Sequence, residues 1–168
     1  MAGFTSVTTN LQVGAIGQLA YGADSNFLTR SYVLQDSTPV PVGRGVVYDA
    51  SNESAKLPSA TGQRFLGVAY DDKTLPIESP AYDLPSAGGQ PNMPVLKRGL
   101  VWVPITEDVD PTADVYLQHT SHSGHLPGTF RASSDSSNAD QIPGTVAQWA
   151  GVYLATDGRA LLSINLTA

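Results

Sequence analysis

With 168 residues, 41% of them hydrophobic and only 14% charged, the chain has the size of one compact domain whose surface is largely small and uncharged. A net charge of −6, with no basic run beyond Lys97-Arg98, excludes nucleic-acid binding by phosphate neutralisation; the lack of cysteine excludes disulfides, thiolate metal sites and a thiol nucleophile. No window approaches the ~20 apolar residues of a membrane-spanning helix, and Met1–Thr5 lacks a basic region ahead of an apolar core, so neither a membrane partner nor a secretion signal is expected.

Sixteen glycines and twelve prolines punctuate the whole length. Together with the many valines they predict an all-β protein, a compact barrel or sandwich of short antiparallel strands. Met1–Asn26 is small and polar at first, then imperfectly alternating with three glycines. We read it as an extended N-terminal arm that orders by lying along something else; the other reading is an ordinary first strand of the barrel. Residues 27–168 form the β-domain.

Phe27–Leu34 has strand propensity, and Asp36–Pro39 breaks it. Pro39–Gly45 is a proline-stiffened approach to a strand at Val46–Tyr48. Asp49–Ser59 reads as polar loop. Arg64–Tyr70 is the next strand, with Gly67 in its middle marking a bulge or a close backbone approach. Asp71–Pro94 carries five prolines and Gly88-Gly89, and predicts a long surface excursion, used against a neighbour or simply solvated.

The chain is organised around Val95–Leu117. Leu100–Ile105 is β-branched and aromatic, with Trp102 between two valines, and Pro104 predicts that the strand ends there or reaches an edge. The acidic corner Thr106–Thr112 is closed by Pro111, and Val115–Leu117 resumes the strand pattern. A second long polar loop is expected over 118–145, with a short strand at Phe130–Ala132 and a flexible tip at Ser133–Asn138. Gln148–Ala155 and Ala160–Leu166 read as a last hairpin about Asp157-Gly158. Val46–Tyr48 leading to Gly67–Tyr70 is echoed by Val115–Leu117 leading to Gly151–Tyr153, through two related units or through shared strand vocabulary.

Few residues suit chemistry. His119, His122 and His125 hold all three imidazoles, whose nitrogens suit Zn²⁺ or Ni²⁺, yet the segment is a Ser/Gly loop with no evident rigid shell. Glu107, Asp108, Asp110, Asp71 and Asp72 lack the EF-hand spacing and read as turn caps rather than Ca²⁺ ligands. Gly14–Gly17 and Gly43–Gly45 lack the Gly-Lys-Ser/Thr ending of a phosphate loop, and no serine sits in Gly-x-Ser-x-Gly. Trp102, Trp149 and Tyr153 are either a sugar-binding face or core. We therefore assign no catalytic, cofactor or metal residue and expect no enzyme.

Three stretches carry a family likeness: Val13–Ala20, with its Gly-Gln-apolar-Ala ending; Val40–Asp49, a Val-x-x-Gly-x-x-Val pattern; and Gly99–Leu117 followed by Pro127–Ala132, Ala150–Val152 and the final strand. In these the chain resembles the tailed-phage capsid decoration proteins of the structural cement type. The resemblance implies a β-barrel-like domain, assembled as a homotrimer on the outer surface of the virion capsid. There it would bind between major capsid protein subunits and stiffen the expanded head. The Pro-rich stretch 71–94 has no counterpart in that pattern. The competing reading is a carbohydrate- or receptor-binding β-module of a phage tail or appendage, which requires a surface tryptophan.

Overall fold

The computed structural model describes residues 14–20, 26–34, 38–49, 54–71, 81–82, 92–135 and 137–166. Among them are twelve strands: β1 (Leu28–Leu34), β2 (Val40–Pro41), β3 (Gly45–Tyr48), β4 (Ser54–Lys56), β5 (Phe65–Ala69), β6 (Ala81–Tyr82), β7 (Asn92–Pro104), β8 (Val115–Gln118), β9 (Phe130–Arg131), β10 (Ala139–Ile142), β11 (Ala147–Trp149) and β12 (Arg159–Asn165). The main sheet runs β1-β4-β3-β5-β7-β12-β11, and β7 also pairs with β1. That pairing closes β1, β4, β3, β5 and β7 into a small barrel and removes their free edges. A second sheet, β10-β8-β9, lies apart, and β2 pairs with β6.

β7 holds the two layers together, and its thirteen residues do so by changing face part-way. Met93 and Val95 point into the barrel with Tyr32, Leu34, Val46 and Leu66. Leu96, Val101 and Val103 point instead into a second core beneath the β10-β8-β9 sheet, with Leu117, Phe130, Ile142, Trp149 and Leu162. A strand with a period of two cannot place 96 and 101 on one face without an extra residue. The register supplies it: Thr29 opposes Leu96 and Leu28 opposes Arg98, leaving Lys97 as the bulge. Gly99, at φ 128°, completes the change; a Cβ there would stand 2.4 Å from the Phe27 ring.

Strand β5 carries the backbone approach anticipated at Gly67. Val46 opposes Gly67 while Val47 opposes Phe65, so Leu66 is an extra residue on β5. Gly67 has φ 145°, and a Cβ on it would lie 2.3 Å from the Leu96 carbonyl oxygen.

Several expectations are corrected. The loop expected at Asp49–Ser59 contains β4, whose Ala55 is fully buried opposite Tyr48 and runs parallel to Leu34. Burial and pairing override the weak strand propensity of Ser-Ala-Lys, and this is the one parallel pair among the described strands. The excursion placed at 71–94 ends earlier: Asn92–Pro94 belongs to β7, where Pro94 opposes Ser31 and its carbonyl accepts the Tyr70 N–H at 3.3 Å. Ala81–Tyr82 pairs with β2, and the rest of the stretch, 72–80 and 83–91, lies outside the described residues. The loop placed at 118–145 contains, besides the short strand expected at Phe130–Ala132 and found as β9, the strand β10, opposite β8 from Ala139–Gln118 to Ile142–Val115.

The last hairpin is also different. β11 stops at Trp149, because the segment after it leaves the sheet to bridge Tyr153 to Val109 in the acidic corner. Asp157-Gly158 does not join two strands directly. Gly158, at φ 66°, closes a single 3₁₀ turn, Ala155–Asp157. The internal echo stops at residue order: β3 pairs with β5, whereas Val115–Leu117 pairs with β9 and β10 and not with Gly151–Tyr153.

Candidate functional site

Of the stretch Met1–Asn26, residues 1–13 and 21–25 lie outside the described residues. Residues 14–20 run along β7. The Trp102 carbonyl accepts from Gly17 N at 2.7 Å, Trp102 N donates to Gln18 O at 3.0 Å, and Ala20 N donates to Leu100 O at 2.9 Å. Groups that would form an open strand edge are thereby paired. Ala20, Trp102 and Leu161 bury together beneath this segment, and a Cβ on Gly14 would stand 2.4 Å from the Trp102 ring. The two glycine-rich stretches are packing sites: Gly17, at φ 81°, leaves no room for a Cβ beside Val42.

The histidine segment is a hairpin tip. His122 and His125 pair across Ser123 and Gly124, whose φ of 50° and 84° are those of a type I′ turn. The three imidazoles separate. His119 Nδ1 lies 2.9 Å from Thr120 Oγ1, His122 Nδ1 2.8 Å from Asp135 Oδ2, and His125 Nδ1 3.0 Å from Thr106 Oγ1. Among the described residues no three His, Cys, Asp or Glu side chains converge on one point.

What the tip joins is an ion-pair network at one end of the second core. The buried Arg131 donates from Nη1 to Asp135 Oδ2 at 3.1 Å and Gln118 Oε1 at 3.2 Å, and from Nη2 to Ser133 Oγ at 3.0 Å. Glu107 accepts from Ala132 N at 2.6 Å, Ser133 N at 3.0 Å and Ser133 Oγ at 2.6 Å. Burial works to raise the Glu107 pKa, but those hydrogen bonds and Arg131 outweigh it and hold it below the ordinary value. In the stretch Ser133–Asn138, expected to be flexible by composition, Asp135 accepts from Asn138 Nδ2 at 2.8 Å, and Ser136 lies outside the described residues.

Hydrogen bonds from Asn138 and His122 lower the Asp135 carboxyl from 3.8 to about 2. Its folded value therefore lies below its unfolded one. The stability it contributes is complete above the unfolded value of 3.8 and is lost as pH falls through about 2. Thermal melts should show Tm dropping across that window, and Asp135→Asn should flatten the drop while lowering Tm at neutral pH. An unchanged profile in the variant would remove Asp135 from this role.

The remaining carboxylates of the corner serve backbone. Asp108 Oδ1 accepts from Ala155 N at 2.7 Å, and Asp110 Oδ1 from Thr112 N at 2.7 Å. Asp71 donates its own N–H to Gly17 O at 2.8 Å, and Asp72 lies outside the described residues. Trp102 and Trp149 are 3% and 2% exposed. The first meets Tyr153 edge to face at 5.6 Å, and the second donates from Nε1 to Asp114 O at 3.2 Å. Neither offers a ring to a sugar.

Residues 100–158 contain seven carboxylates and one cation, Arg131, a sum equal to the net charge of −6. Among the described residues, the large apolar side chains that remain exposed are Ile16, Leu126, Val152 and Leu154. Val152 and Leu154 fall in the apolar run that sequence reads as a strand.

Compared with known proteins, residues 4–167 match the family model described as Structural cement protein (E217 gp24/Pam3 gp6). No curated protein matches. Five chains of solved structures match. One, from the capsid of Myoviridae Phage XM1, superposes with a TM-score of 0.69 over 98% of each chain, at 18% sequence identity. At that identity the likeness is one of fold.

Proposed function

The chain belongs to the structural cement protein family of bacteriophages, and from that premise we propose that it binds the outer capsid surface across joins between major capsid protein subunits, as a homotrimer. It is a capsid-stabilising decoration protein of the virion. The match across residues 4–167 carries this reading, because it spans both the barrel and the second sheet. The division into an arm, 1–26, and a β-domain, 27–168, is part of the same proposal.

The physical demands agree. Packaged DNA loads the joints of a shell from inside, and a clamp across a joint needs contact area and stiffness. A closed barrel braced by a second sheet supplies stiffness. Apolar contact contributes about 25 cal/mol per Å² before ordering costs, and repetition over the shell adds avidity. None of this calls for a reactive group, so we assign no enzymatic activity. The sugar-binding alternative loses its distinguishing feature with both tryptophans in the core.

Light scattering should return three times the 17.6 kDa chain mass, and the protein should sediment with expanded heads stripped of it. A monomer left in the supernatant would contradict both parts.

A further inference from the structure

Val152 and Leu154 are 72% and 54% exposed, yet their backbone is firmly held. Tyr153 N donates to Val109 O at 3.0 Å, and Val109 N to Tyr153 O at 2.9 Å. Leu154 N donates to Asp157 Oδ2 at 2.8 Å, and Ala155 N to Asp108 Oδ1 at 2.7 Å. Side chains two apart on extended backbone project to the same side. Tyr153, between them, turns the other way onto Trp102. The fold thus fixes two neighbouring apolar side chains outward into water.

A free loop gains nothing from such an arrangement, whereas a docking surface gains from being ordered in advance. The anchors also stand in a charged setting. Asp108, Asp110 and Asp157 lie in the two segments that hold them, with Arg159 following, so that these segments are locally acidic. The occupant that fits is apolar at its centre and basic at its rim.

We propose that Val152 and Leu154 form the apolar centre of the surface by which this protein grips a basic patch on the major capsid protein. The proposal rests on the capsid-binding reading and names the contact within it.

The test titrates expanded, stripped heads with the wild-type protein, the double variant Val152→Ser/Leu154→Ser, and Leu126→Ser as an exposed apolar control elsewhere. Unchanged Tm verifies folding. The double variant should bind about ten- to a hundredfold more weakly, and the control within about twofold. Wild-type affinity should fall with added salt as the charged rim is screened. The proposal is overturned if the double variant binds like wild type, or if affinity ignores salt. It is overturned equally if the double variant loses self-association while keeping head binding, since the occupant is then a second copy. Wild-type protein that fails to bind heads overturns the functional reading itself, a separate outcome.

Discussion

Gly67→Ala is expected to destabilise the protein by more than about 3 kcal/mol, a large share of the 5–15 kcal/mol that holds a typical domain. Two costs add. At φ 145° a residue with a side chain is strained, at roughly 1–3 kcal/mol. The new Cβ would also lie 2.3 Å from the Leu96 carbonyl oxygen and 2.7 Å from Val95 Cγ1. The nearer obstacle is backbone, so no rotamer relieves it. Strand β5 must then move away from β7, opening the pairings Val68–Leu96 and Ala69–Val95. Those pairings close the barrel wall. Urea unfolding should show a lower midpoint at an unchanged slope. A loss under about 1 kcal/mol would mean that β5 and β7 separate freely.

Phe130→Ala is expected to cost about 3–5 kcal/mol, the range for emptying a buried aromatic site. Phe130 is almost fully buried and meets Phe65 edge to face at 6.2 Å. Its ring lies over Gly45, where a Cβ would stand 2.9 Å from Cζ. It therefore joins β9, in the second sheet, to β3 and β5 of the barrel. The deletion should act unevenly. Amide exchange in β8, β9 and β10 should accelerate more than in β1 and β4, whose packing lies in the barrel core. Phe130→Leu, which keeps most of the volume, should cost clearly less. Equal acceleration in both layers would show that they do not separate in this way.

The sequence reports best where one side of an element is buried and its residues favour strands. The second half of β7, strand β8 and β5 with its central Gly67 are all recognisable, and so is the family, through stretches such as Gly99–Leu117. It reports worst where pairing partners decide. β4 is Ser-Ala-Lys, and only Tyr48 and Leu34 on either side make it a strand. β10 is Ala-Asp-Gln-Ile, whose polar and apolar residues do not alternate as a half-buried strand's would. The change of face at Lys97 cannot be read from β7 alone, since it is set by register against β1.

The same division holds for the site. Arg131 and Asp135 are four residues apart, but Glu107 reaches their segment from more than twenty residues away, so no local spacing announces the three together. The Ser-Gly step between His122 and His125 was a readable turn, but the separate partners of the three imidazoles, Thr120, Asp135 and Thr106, were not. Val152 and Leu154 were misplaced for a physical reason: an apolar docking pair and an apolar core strand have the same composition. Only the bridge from Tyr153 to Val109 distinguishes them.

Cryo-electron microscopy of the intact head addresses the central claim most directly. The account predicts density for this barrel and its second sheet on the exterior of the shell, in groups of three. Each copy should span at least two major capsid protein subunits. Density confined to the tail or its fibres, or a head surface without it, would contradict the account.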